Sequence, residues 1–144
     1  MSDDFIIFMY DKIGEIYVYL DKIMADVYDG KLSYENLPVA LKDLEEKILF
    51  RQEECRDNEV FYNSFEKSIE YLEGIMNTLL EGKLNSEDVI PALGDLGLDI
   101  LGNQEYFTGV SDSKEQEYLL KRIADKKNVL IKALEETKKQ SVSK

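Results

Sequence analysis

Histidine and tryptophan are absent from this 144-residue chain, cysteine occurs once and proline twice. Each shortage removes a class of protein. Without histidine there is no neutral-pH imidazole acid or base, no usual zinc ligand, and none of the Glu-x-x-His pairs of di-iron bundles. A lone Cys55 permits no disulfide framework, which suits a reducing, cytoplasmic setting. It stands beside Glu53, Glu54 and Asp57, whose charges oppose a thiolate, so it reads as a small core residue instead of a nucleophile. No Gly-Lys-Ser/Thr loop, Gly-x-Gly-x-x-Gly turn or Gly-x-Ser-x-Gly elbow occurs. The run from Phe5 to Tyr10 is only six residues and follows Asp3 and Asp4, so it reads as neither a secretion signal nor a bilayer span.

Basic charge is also short. The formal net charge is −12, which repels phosphate backbones and anionic lipid and so argues against nucleic acid and membranes as partners. The imbalance is uneven: residues 1–113 carry 25 acids against 9 bases, and residues 114–144 carry 5 against 9. The last segment can therefore dock on an acidic body, or simply place cations near a helix C-terminus.

What is present is a repetition. Tyr19, Leu20, Ile23, Met24, Gly30, Lys31, Leu32, Glu35, Ala40, Leu41, Asp43, Leu44, Ile48 and Leu49 each recur 52 positions later. These 14 identities in 31 ungapped positions indicate a duplicated structural unit. Within it, apolar residues fall at three-four spacing over 4–29 and again from Phe61 to Leu79, the mark of helices. Gly30 and Gly82 are the expected stops. After the first stop, Ser33 or Asn36 can cap a second helix over about 36–56, with Pro38 tolerated in its first turn. Asp57-Asn58 caps the third. The fourth is expected over about 87–101, weakened by Gly94 and Gly97 and ended by Gly102. Residues 104–110 then read as a loop holding Tyr106 and Phe107. Asp112 with Glu115 suggests a capping box for a fifth helix over 112–137, after which the chain frays.

The expectation is a single all-α domain over 1–144: an up-down helical bundle built from a duplicated helix hairpin (5–56 and 57–102) plus the C-terminal fifth helix. The stretch from Asp29 to Glu35 resembles the middle of an EF-hand loop. With Gly30 at the sixth position, however, the first, third and twelfth ligand positions fall on Ala25, Val27 and Asn36, too few oxygens for calcium. No metal, cofactor or catalytic residue is assigned.

The first helix departs from ordinary patterning, because Phe5 to Tyr10 and Ile16 to Leu20 are apolar around the whole circumference. Such a helix lies at the centre of the bundle or meets a second molecule. The expected function is therefore a non-enzymatic interaction module, adaptor-like or chaperone-like, with a protein partner and a homodimer as its assembly. Phe5, Phe8, Tyr17, Tyr19, Tyr106 and Phe107 are the candidate partner-binding residues. In size, acidity and helicity the chain is similar to small bacterial secretion and assembly chaperones, an analogy of fold class. Two alternatives stand beside this reading: a bundle carrying a small apolar ligand in its core, near Gly94 and Gly97, and an acidic inhibitor mimicking nucleic acid.

Overall fold

In the computed structural model, residues 3–110 and 114–142 are described, with side chains within 4–110 and 114–137. They form five helices and no strand: α1 Asp3–Tyr28, α2 Leu37–Glu54, α3 Glu59–Leu80, α4 Ser86–Gly109 and α5 Gln116–Val142. The protein is an all-α helical bundle.

Local chemistry sets the boundaries. Gly30 and Gly82 take φ of 75° and 71°, the left-handed conformation that closes a helix at little steric cost. The bonds around them match: Gly30 N to Val27 O at 3.2 Å and Lys31 N to Asp26 O at 2.8 Å, then Gly82 N to Leu79 O and Lys83 N to Thr78 O, both at 3.0 Å. A helix-closing turn thus accounts for the Asp-Gly-Lys-Leu stretch. Asn58 caps α3 by accepting from Phe61 N at 3.2 Å. At α2, the Asn36 side chain makes no capping bond; Ser33 Oγ accepts from Asn36 N at 3.3 Å instead.

Successive helices run antiparallel. Tyr19 meets Asp43 across α1 and α2, Gln52 meets Tyr62 across α2 and α3, and Ser68 meets Asp99 across α3 and α4. The ring closes through Gln104 of α4, whose Nε2 donates to Tyr10 O of α1 at 2.9 Å. Helix α5 lies outside this ring on α4, tied at its start by Gln116 Nε2, which donates to Thr108 O (3.2 Å) and Gly109 O (2.8 Å). One continuous apolar core runs through all five helices.

Three expectations need correction. Helix α4 does not end at Gly102 but continues to Gly109, so Tyr106 and Phe107 sit on its last turns and not on a loop. The helix holds Pro91 and four glycines, a composition that disfavours helix. Tertiary burial of Leu101, Asn103, Gln104, Phe107 and Thr108 outweighs it. Second, α4 and not α1 is the central helix, packed against α1, α3 and α5. Third, α5 begins at Gln116 and persists to Val142, past the expected end at 137; the expected Asp112 cap lies outside the described residues.

The glycine face of α4 is where α5 seats. A Cβ on Gly94 would fall 2.3 Å from Leu134 Cδ2, and one on Gly97 would fall 3.1 Å from Leu130 Cδ2. Leu134 and Leu130 of α5 thus pack directly on the two glycines.

Candidate functional site

On α1, residues 8, 12, 15 and 19 form one stripe at helical spacing beside the core stripe of Met9, Ile13, Ile16 and Leu20. Antiparallel α2 brings Asp43, Lys47, Phe50 and Arg51 alongside it. The result is a groove of about 440 Å³ between the two helices, with Lys12, Tyr19, Asp43, Lys47, Phe50 and Arg51 in its walls.

Its make-up departs from the acidity of the chain as a whole. Phe8 is 39 % exposed and Phe50 63 %, and the Arg51 guanidinium lies 5.5 Å and 4.8 Å from their ring centres. Lys12 stands 5.5 Å from the Phe8 ring, Lys47 stands 4.9 Å from the Tyr19 ring, and Phe5 packs against Phe8 at 6.5 Å between centroids. Each such cation–ring contact contributes about 0.5–1 kcal/mol at an exposed site. Tyr19 donates its hydroxyl proton to Asp43 Oδ2 at 2.5 Å. That bond, with burial and the Asp43 charge, pushes the phenol up to about 12, so it stays a neutral donor. Arg51 also pairs with Glu54, and Lys12 with Glu15 at 3.4 Å. Lys12, Lys47 and Arg51 stand among Glu15, Asp43, Glu46 and Glu54, so the groove is much nearer charge balance than the chain as a whole, whose net charge is −12.

The positions 52 residues on make a different face. Phe8, Lys12, Lys47, Phe50 and Arg51 become Val60, Ser64, Asp99, Gly102 and Asn103. There Ser64 donates to Asn103, Asn103 Nδ2 to Ser68 Oγ at 2.7 Å, and Ser68 Oγ to Asp99 Oδ2 at 2.5 Å. Burial, with the charges of Asp95 and Asp99, raises the Tyr71 phenol. The α3–α4 seam is tied by these hydrogen bonds, with a smaller pocket of about 350 Å³ beside Val60, Ser64, Lys67 and Tyr106, whereas the α1–α2 seam presents Phe8 and Phe50 around Arg51.

Of the six expected binding residues, Phe5, Phe8 and Tyr19 come together on this face. Tyr17 does not: it is buried, with its ring 3.3 Å from where a Gly97 Cβ would stand. Phe107 is 0 % exposed and stacks on Phe61 at 4.1 Å, so it belongs to the core. Tyr106, 43 % exposed, sits edge-on to Phe61 at 5.6 Å, away from α1. Reading the chain for apolar residues missed Lys12, Lys47, Phe50 and Arg51. The available signal was Phe50 directly after the buried position Ile48 and its neighbour Leu49, off the core stripe of α2, followed by an arginine.

A second cavity, of about 650 Å³, separates α1 from α5, which both pack on α4 without touching backbone to backbone. Gly14 and Gln104 line it together with Phe8, Tyr10, Arg122 and Lys126. Cys55 is buried, and desolvation with the Glu54 charge pushes its thiol up to about 11, which keeps it protonated at neutral pH. No known protein family, curated protein or solved structure matches this chain.

Proposed function

We propose that this chain is a non-enzymatic protein-interaction module that pairs with a second copy of itself through the α1–α2 face. The observation that carries this reading is the pair of exposed rings, Phe8 and Phe50, set around the shared Arg51 guanidinium. Aromatic residues and arginine are the types that dominate interface energetics. Two bodies of net charge −12 repel overall, and the cations Lys12, Lys47 and Arg51 make the α1–α2 groove a place where that repulsion is reduced. A self-complementary patch of this kind closes a two-fold dimer.

The 52-residue duplication belongs to the same proposal. In its favour stand the matching Gly30 and Gly82 turns and the paired bonds from Gln52 to Tyr62 and from Gln104 to Tyr10. The lone buried cysteine suits a reducing, cytoplasmic setting, and no helix among the described residues is long and apolar enough to cross a membrane.

Sedimentation equilibrium tests the pairing. The unaltered chain should dimerise, and Phe8→Ser with Phe50→Ser should raise the dimer dissociation constant at least about tenfold, or 1.4 kcal/mol. Both rings are exposed, so thermal stability should stay within about 1 kcal/mol of the parent. A chain that stays monomeric at all concentrations, or a dimer indifferent to the double substitution, would overturn the assignment.

A further inference from the structure

Two buried glutamines, 52 positions apart, make the same bond in different surroundings. Gln52 Nε2 donates to Tyr62 O at 3.2 Å and Gln104 Nε2 donates to Tyr10 O at 2.9 Å. At the first site Gln52 Nε2 also donates to a carboxylate, Glu66 Oε2, at 2.6 Å. The position 52 before Glu66 is Gly14, so at the second site no side chain supplies that acceptor. Gln104 is only 1 % exposed, and its Nε2 makes a single bond where Gln52 Nε2 makes two. Buried polar groups are normally satisfied, and one left open in a cavity wall calls for an explanation.

The missing carboxylate falls in the α1–α5 cleft. A Cβ on Gly14 would stand 3.1 Å from Gln104 Nε2, which places the amide nitrogen at the cleft floor beside the glycine. Lys12, Arg122 and Lys126 line the same cleft, as do Asp11 and Glu15. Lys12 is engaged by Glu15, while Arg122 and Lys126 have no ion pair among the described residues. Phe8, Tyr10 and Val18 supply an apolar wall.

Beyond the pairing face, we propose that this cleft binds a small amphipathic carboxylate. Its carboxylate takes the place that Glu66 fills beside Gln52: it accepts from Gln104 Nε2 and is flanked by Arg122 and Lys126, a charge-assisted arrangement. Its apolar body lies against Tyr10 and Val18. A volume of about 650 Å³ suits a ligand of small-molecule size.

The probe is 3-phenylpropionate, followed by amide NMR with the Gln104 side-chain NH₂ pair as reporter. Saturable shifts of that pair are expected below about 10 mM, with the neutral 3-phenylpropanol binding at least about tenfold more weakly. Gly14→Glu should supply the carboxylate within the chain, move the Gln104 amide without probe, and block the probe. Arg122→Gln with Lys126→Gln should weaken the probe about tenfold and so keeps the test open if Gly14→Glu fails to fold. Absence of saturation, equal binding of the alcohol, or undiminished binding to either variant would overturn the site.

Discussion

Phe107→Ala should lower unfolding free energy by about 3–5 kcal/mol, the range for truncating a fully buried aromatic. The ring is wholly enclosed, stacks on Phe61 at 4.1 Å and lies 5.5 Å from Phe65. Its loss empties the centre of a three-ring cluster joining α3 to α4. Because α4 carries Pro91 and four glycines, the helix has little intrinsic propensity with which to absorb the damage. The neighbouring Tyr106→Ala supplies the contrast. Its ring is 43 % exposed and meets Phe61 in a T-shaped contact, so its cost should stay near 1 kcal/mol. Urea unfolding of both variants measures the difference; equal costs would mean that Phe107 is not the core residue described.

Gly94→Leu should cost about 2 kcal/mol and act mainly on α5. Even a single Cβ there would stand 2.3 Å from Leu134 Cδ2 and 3.0 Å from Cγ. Overfilling a packed seam costs about 1–3 kcal/mol, offset in part by the roughly 1 kcal/mol that replacing glycine in a helix regains. A full leucine side chain cannot fit unless the end of α5 lifts. Amide exchange should therefore speed up along α5 beyond Leu130 while α1 to α3 keep their protection. Uniform loss of protection across all five helices, or none, would contradict α5 as an added layer seated on glycines.

Much of this architecture is legible before any coordinates. The Gly30 and Gly82 stops, the Asn58 cap and the stripes of α1 to α3 are local signals, and local physics places them. The errors share a cause. Gly102 reads as a stop because glycine is a poor helix former, but the residues after it are buried against distant parts of the chain, and spacing alone does not reveal what a helix will be packed on. Tyr17 and Phe107 look like contact residues for the same reason: an aromatic at a given position is core or surface according to which helix lies opposite. The pairing face was half legible. Phe5, Phe8 and Tyr19 stand out by hydrophobicity, whereas Lys12, Lys47 and Arg51 acquire meaning only when α2 is folded back beside α1. Gln104 and Gly14 were within reach through the 52-residue offset, had it been extended beyond the best-matching stretch.

Closing the ring between α1 and α4 comes late in folding. Within the first hairpin the Tyr19–Asp43 bond spans 24 residues, whereas the Gln104–Tyr10 bond spans 94. Two doublings of loop length add about 1.2 kcal/mol of closure entropy, so the seam between hairpins gains its contacts last. Substitutions along that seam should then appear in the unfolding arm of a chevron plot, leaving the refolding arm nearly unchanged. The residence time of the native state is thus governed by the seam that holds Gln104, and an occupant bound there would lengthen it.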